Sequence, residues 1–167
     1  MLAQILFFAF PLLVVFAGIS DMMTMTISNR FSLALIALFL VAIPFVTGWD
    51  PATWAEHLLA GAIMLVVAFA MFAFGWVGGG DAKLSVAIAL WLGLPQLLAF
   101  VVLASLFGGA LTLGLLGFRN VPIPPAAIRL PWIVRLHDLK DGIPYGMALS
   151  AAGLVLYPQT IWLGLLH

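Results

Sequence analysis

The sequence predicts an all-α, polytopic membrane protein that folds as a bundle of six transmembrane helices. The chain of 167 residues is 65% hydrophobic and only 7% charged, whereas a soluble domain carries about 25% charged residues. Its apolar stretches are continuous, while the strands of a membrane barrel alternate polar and apolar residues over about ten positions. These features exclude a disordered chain, a coiled coil and an ordinary globular domain.

Apolar segments of the length needed to cross a bilayer, about 20 residues, account for most of the chain. The predicted spans cover residues 2–20, 31–48, 57–77, 81–94, 95–117 and 144–166. A cleaved signal peptide is the alternative for the first span, but it needs a basic region, and no Lys or Arg precedes Arg30. Pro144 suits the first turn of the last helix, where its missing N–H is not needed.

Residues 84–118 leave two interpretations open, because this stretch is too long for one crossing and short for two. A turn signal, Gly-Leu-Pro at residues 93–95, favours two helices, of which the first is short. A single bent crossing is the alternative. Positive charge decides between them, because only six crossings put every basic residue into loops on one side of the membrane.

These basic residues are Arg30, Lys83, Arg119, Arg129, Arg135 and Lys140. The positive-inside rule then places their loops in the cytoplasm and both chain ends outside. The long loop at residues 119–143 either sets this topology or lies in the headgroup layer with an amphipathic segment at 126–138. Most of the tryptophans, Trp162 among them, are predicted to lie near the membrane interfaces.

With only six acidic residues in the chain, each acid beside an apolar helix requires an explanation, because a charge there is costly. Asp21 follows the first predicted helix, and Asp81 lies sixty residues later, between the third and the fourth. Both lie on the cytoplasmic side, and packing of helices 1 and 4 would bring them face to face. Two close carboxylates share a proton, so that one activates a water while the other protonates a peptide carbonyl. Solvated helix-end residues are the alternative.

Three glycines, Gly78 to Gly80, directly precede Asp81. Glycine lets the main chain approach its neighbours closely, and Asp81 is in a position to cap the fourth helix. A flexible turn with a capping Asp and an interfacial Lys83 is the simpler interpretation. A phosphate-binding loop is disfavoured, because the glycines of that motif are followed by Lys-Ser or Lys-Thr.

Residues 78–84, Gly-Gly-Gly-Asp-Ala-Lys-Leu, resemble the GxGDxKL motif of the type IV prepilin peptidases, which are GxGD intramembrane aspartyl proteases. Residues 21–29 are similar to the first-aspartate segment of that family, although Ser28 stands where many relatives have proline. Residues 143–146, Ile-Pro-Tyr-Gly, resemble the entry to its last helix. The resemblance covers nearly the whole chain.

The resemblance implies an aspartic endopeptidase of the bacterial inner membrane. It would remove the short basic leader of type IV pilin-like precursors at the cytoplasmic face and cut after a glycine. By match of position, Asp21 and Asp81 would be the catalytic pair. The residues that would shape and support the active-site loop are Gly78, Gly80, Lys83 and Asn29. A small proton-coupled transporter that uses the same two acids is the alternative function.

The implied partners are the prepilin or pseudopilin leader, its hydrophobic helix and the lipid bilayer. Nucleic acid is not expected, because the net charge is zero. We expect no cofactor and no metal, since His57, His137 and His167 lack ligand spacing.

The chain departs from the larger bacterial members of the family. They carry a cytoplasmic insertion with paired cysteines and also methylate the new pilin N-terminus. This chain has no such insertion and no cysteine, so N-methyltransferase activity is not expected. The compact form resembles the peptidases of tight-adherence, or Flp-type, pilus systems.

Overall fold

A computed structural model describes residues 2–124, 127–138 and 142–166 of the chain. In these parts the protein is helical and contains no strand, which confirms the all-α prediction. The α-helices are α1 (Leu2–Thr24), α2 (Asn29–Thr47), α3 (Pro51–Ala73), α4 (Gly79–Leu92), α5 (Leu94–Arg119), α6 (Pro131–His137) and α7 (Tyr145–Leu156). Short 3₁₀ helices cover Ala127–Arg129, Tyr157–Gln159 and Ile161–Leu166.

Among the described residues, four helices are long and apolar enough to cross a membrane. These candidate spans are Leu6–Thr24, Asn29–Thr47, Pro51–Ala73 and Leu94–Arg119. By contrast, α4 has 14 residues and α7 has 12, fewer than the about 20 that a full crossing needs. The four long helices indicate a membrane protein, and the count of six crossings stays a prediction that depends on α4 and α7.

The helix ends beside the two acids differ from the predicted ones. The first helix continues to Thr24, so that Asp21 lies in its last turn rather than after it. The fourth helix begins at Gly79 with Gly78 as its N-cap, so that Asp81 lies in the first turn rather than at the cap. A carboxylate in the first turn interacts favourably with the helix dipole, which accounts for this position.

Proline and a capping aspartate explain the other differences in helix ends. The third helix begins at Pro51, before the predicted start at residue 57, because Asp50 caps it and accepts a hydrogen bond from the Thr53 N–H at 2.9 Å. The last helix begins after Pro144, which is its N-cap. It ends at Leu156 because the ring and missing N–H of Pro158 disrupt a continuing α-helix, and 3₁₀ helices follow.

The short helix α4 lies at the centre of the bundle and contacts α2, α3, α5 and α7. Its buried residues are Leu84, Ser85, Ala87, Ile88, Ala89, Leu90, Trp91 and Leu92. A helix that is apolar on all sides is suited to such a position. Asp81 is therefore held at the start of the most enclosed helix of the molecule.

A cluster of aromatic side chains fills the bundle at the C-terminal end of α4. The members of this aromatic cluster are Phe10, Phe39, His57, Trp91, Tyr157 and Trp162, all of them buried. The Trp91 and Trp162 rings have centroids 4.5 Å apart. Trp91 donates to the Leu35 carbonyl at 2.8 Å, and Trp162 donates to the Trp91 carbonyl at 2.6 Å. The polar atoms of both indoles are thus satisfied inside an apolar core.

The burial of Trp162 differs from its predicted position at a membrane interface. Trp49 and Trp76, which are 79% and 71% exposed, lie beside helix ends as the prediction requires. Trp162 instead reaches back into the bundle, because the chain turns into 3₁₀ helix after Leu156 and brings the indole onto Trp91.

Candidate active site

The two acids meet where the starts of α4 and α7 face the end of α1. Asp21 is 5% exposed, and its Oδ2 accepts a hydrogen bond from the Gly146 N–H at 2.8 Å. Asp81 is half-buried in the first turn of α4, close enough to Asp21 for the two carboxylates to interact electrostatically. The fold therefore brings close together two acids that are sixty residues apart in sequence. Asp21 is therefore buried and is not the solvated helix-end residue of the alternative interpretation.

Each carboxylate faces the N-terminus of a helix, although Asp21 itself belongs to the last turn of α1. The first N–H groups of a helix have no intrahelical acceptor, and the helix dipole adds positive potential there. Asp81 belongs to the first turn of α4, and Asp21 accepts the N–H of the second residue of α7. Because burial opposes ionisation of both carboxylates, these N–H groups offset only part of the cost of negative charge at the site.

One side chain, Ile27, packs between two glycines in the turn that connects α1 to α2. A Cβ placed on Gly80 would lie 3.1 Å from the Ile27 Cβ and 3.3 Å from its carbonyl oxygen. A Cβ on Gly146 would overlap the Ile27 Cδ1 and lie 2.8 Å from the Asp21 Oδ2. Glycine at these two positions allows α4 and α7 to approach the turn that follows Asp21.

The other glycines of the loop make different contacts. A Cβ on Gly78 would lie 3.1 Å from the Asp81 Oδ2, so this N-cap position borders the carboxylate directly. A Cβ on Gly79 would meet only the ring of Phe72, at 3.3 Å, and this ring is 50% exposed. The two predicted loop positions therefore have the neighbours that matter for the site: Gly78 borders the Asp81 carboxylate, and Gly80 borders the backbone of Ile27.

The predicted supporting residues Lys83 and Asn29 contact each other. The Lys83 Nζ donates a hydrogen bond to the Asn29 Oδ1 at 2.9 Å. Asn29 is the first residue of α2, and Lys83 lies on the exposed side of α4. This bond links the segment that follows Asp21 to the helix that carries Asp81.

A groove of about 590 Å³ opens beside Asp81. We call it the Asp81 groove; its lining comes from α3, α4, α5 and α7 and includes Asp81, Tyr145, Gly109, Leu113 and Met71. A second groove, the Lys83 groove, has a volume of about 680 Å³ and is formed by α2, α3 and α4. Its lining includes Asn29, Lys83, Leu33 and Phe72, and it includes neither acid.

The remaining polar residues take structural positions. The His57 Nδ1 lies 2.8 Å from the Leu90 carbonyl oxygen in the core, and the His137 Nε2 lies 2.8 Å from that of Val121. His167, Lys140 and Asp141 lie outside the described residues. Across the described ranges, no group of three His, Asp or Glu side chains is arranged to hold a metal ion.

The described part of the long loop packs against the bundle. Arg119 donates from Nε to the Leu136 carbonyl at 2.8 Å and from Nη2 to the Gly142 carbonyl at 2.9 Å. In the segment 127–137, Arg129 and Arg135 are exposed beside exposed apolar side chains. This pattern is compatible with the interfacial position considered for residues 126–138.

The predicted site residues include neither Ile27 nor Gly146. A glycine immediately after Pro-Tyr at a helix start is a signal that can be recognised for Gly146, since free N–H groups at such a start bind anions. An apolar residue in a turn carries no comparable signal, because its neighbours are known only once α4 and α7 are packed.

Comparison with known proteins identifies the family. The sequence matches the model of the type IV leader peptidase family over residues 8–113, which is more than half of the chain. The matched region contains Asp21, Asp81 and the glycine loop. No curated protein and no solved structure matches the sequence. The chain therefore belongs to the type IV leader peptidase family, as the resemblance of its sequence motifs implies.

Proposed function

We propose that the protein is an aspartic endopeptidase that removes the short basic leader of type IV pilin-like precursors, cutting after a glycine at the cytoplasmic face of the bacterial inner membrane. Membership of the leader peptidase family supports a prepilin peptidase role in general. The observation that supports the aspartic mechanism is the proximity of Asp81 to Asp21, whose carboxylate the Gly146 N–H holds in place.

In the proposed mechanism, the two carboxyl groups share one proton. The ionised carboxylate takes a proton from a water molecule, whose oxygen attacks the carbonyl carbon of the scissile peptide bond. The protonated carboxyl group donates its proton to the carbonyl oxygen. When the tetrahedral intermediate collapses, its C–N bond breaks, and the carboxyl group that took the proton from water donates it to the leaving amine. One hydroxyl of the intermediate returns a proton to the other carboxylate, and no covalent enzyme intermediate forms.

The distribution of charge supports a cytoplasmic site. Arg30 at the start of α2, Lys83 in α4 and Arg119 at the end of α5 lie at the same ends of the helices as the two acids. The positive-inside rule assigns this end to the cytoplasm. We infer that α4 and α7 complete six crossings, with both chain ends outside.

We also propose that the protein acts as a peptidase only and corresponds to the compact peptidases of Flp-type pilus systems. The chain has no cysteine, whereas the larger members carry a cytoplasmic insertion with paired cysteines. The alternative of a proton-coupled transporter is not favoured, because the matching family is one of peptidases and both acids lie at one end of the bundle.

Replacement of either acid by its amide tests the mechanism. We expect Asp21→Asn and Asp81→Asn each to slow cleavage of a co-expressed prepilin by about 10²- to 10⁴-fold, the usual contribution of a positioned acid or base. Processing is measured on immunoblots at matched membrane levels of the variants. The control is Asp50→Asn, since this acid caps α3 at the opposite end and asparagine also caps helices. Cleavage at the wild-type rate by Asp21→Asn or by Asp81→Asn would refute the aspartic mechanism.

A further inference from the structure

We propose that the Asp81 groove is the docking site for the hydrophobic helix of the precursor, which lies along α5 between α3 and α7. This docking site rests on the proposed function and adds the face of the peptidase that the substrate occupies. The proposed cleavage site directly precedes the hydrophobic helix, so the helix must lead from the acids into the membrane.

The groove has suitable dimensions for binding a helix. Its floor is α5, where a Cβ on Gly109 would meet no atom within 4 Å. Val101 and Leu113, near its two ends, are twelve residues apart, which corresponds to ~18 Å along a helix. A bound helix of about three turns matches this length.

The lining is apolar along the groove and polar at the end beside the acids. Met64 and Met71 of α3 and Leu149 of α7 form the walls, and methionine adapts to partners of different shape. The polar end contains Asp81 and Tyr145, whose hydroxyl lies 3.4 Å from that of Thr112. A substrate that is apolar on one side of its scissile bond and polar on the other matches this distribution.

Two serines in the lining do not interrupt its apolar character. The Ser85 Oγ donates to the Ala82 carbonyl and the Ser105 Oγ donates to the Val101 carbonyl, each at 2.8 Å. Both hydroxyls are thus satisfied within their own helices, and they require no polar partner from an incoming helix.

The Lys83 groove is larger but does not lead to the acids. Its lining contains neither Asp21, Asp81 nor any residue of α7. Two of its polar side chains, Lys83 and Asn29, already bond to each other. A helix in that groove would lie against the supporting pair rather than the catalytic one.

A matched pair of glycine substitutions tests the docking site. Gly109 and Gly114 are both exposed on α5 with open space for a Cβ, but only Gly109 lines the groove. The full chain in lipid nanodiscs is given two synthetic substrates with the same basic leader, one continuing into about 20 apolar residues and one into about six polar residues. We expect Gly109→Leu to lower kcat/KM about tenfold for the long substrate alone. Gly114→Leu should cleave both substrates as the wild type does.

The outcomes separate the docking site from the activity. The docking site would be overturned if Gly109→Leu and Gly114→Leu changed kcat/KM equally, or if Gly109→Leu lowered kcat/KM equally for both substrates. The peptidase assignment would stand in either case. Failure of the wild type to cleave either substrate would instead count against the proposed function.

Crosslinking provides a readout that needs no cleavage, because the chain has no cysteine of its own. Leu113 in the Asp81 groove and Leu33 in the Lys83 groove are 73% and 64% exposed. Each is changed to cysteine in the Asp81→Asn background and offered the long substrate with one cysteine in its apolar helix. We expect a disulfide with Leu113→Cys and none with Leu33→Cys. A disulfide at residue 33, or none at residue 113 because lipid fills the groove, would overturn the proposal.

Discussion

Ile27 is the side chain on which the spacing of the two acids depends. It contacts Gly80 at the start of α4 and Gly146 at the start of α7, and it lies in the turn between α1 and α2, six residues after Asp21. Because backbone atoms take part in these contacts, neither helix can shift towards the turn, and the positions of Asp81 and of the Gly146 N–H follow from the packing of this residue.

Two adjacent glycines provide a matched test of this packing. Gly80→Ala places a methyl group against the Ile27 backbone, whereas Gly79→Ala meets only the exposed ring of Phe72, which can turn away. We expect Gly80→Ala to lower prepilin cleavage by about 10²-fold, the effect of a ~1 Å misplacement of reacting groups. Gly79→Ala should remain near the wild-type rate in the same membrane assay. Equal activity of the two variants would show that the contact with Ile27 does not position the acids.

The helix α4 positions Asp81 through burial rather than through length. It is enclosed by four other helices, and its far end is anchored in the aromatic cluster, where the Trp162 indole donates to the Trp91 carbonyl. A short helix held in this way has little freedom to tilt, so the carboxylate at its start keeps a defined place beside α7.

The N-cap of α3, at the opposite end of the bundle from Asp21 and Asp81, leads to a prediction about the pH dependence of stability. Hydrogen bonds from the Thr53 side chain and N–H lower the pKa of Asp50 below its ordinary value. The stabilisation by this cap is therefore present above the pKa of the unfolded carboxyl group and is lost as the pH falls through the lower pKa of the folded state.

We expect Asp50→Ala to lower the melting temperature in detergent at about pH 7, and this difference from the wild type to narrow below about pH 4. Asp50→Asn should keep most of the cap and lose its pH dependence. A difference between Asp50→Ala and the wild type that stays constant from about pH 7 to about pH 3 would contradict the role of the ionised carboxylate.

The topology of the whole protein is tested by single cysteines in this cysteine-free chain. Six crossings place Trp49 and Leu94 outside and Asn120 in the cytoplasm. We expect a membrane-impermeant maleimide to label Trp49→Cys and Leu94→Cys in intact spheroplasts, and Asn120→Cys only after permeabilisation. If the maleimide labelled Leu94→Cys neither before nor after permeabilisation, a single bent crossing for residues 84–118 would be supported instead.

The sequence predicts the helical class, the long apolar helices and the pair of acids, because length, hydropathy and scarcity of charge are properties of the chain itself. It does not predict features that arise from contacts between distant helices. The burial of Trp162 is one example, since an indole ring suits a membrane interface as well as a core. The bond from Gly146 to Asp21 is another, because it exists only once α7 is packed on α1.

The aromatic cluster has a consequence for a hydrolytic site in an energised membrane. Water that reached the acids from both sides would carry protons down the membrane potential, which amounts to about 2.3 kcal/mol per charge at 100 mV. Rings such as Trp91, Tyr157 and Trp162 fill the bundle beyond α4. We therefore expect the proposed peptidase to exchange water and protons with the compartment that supplies its substrate, and to cleave peptide bonds without dissipating the proton-motive force.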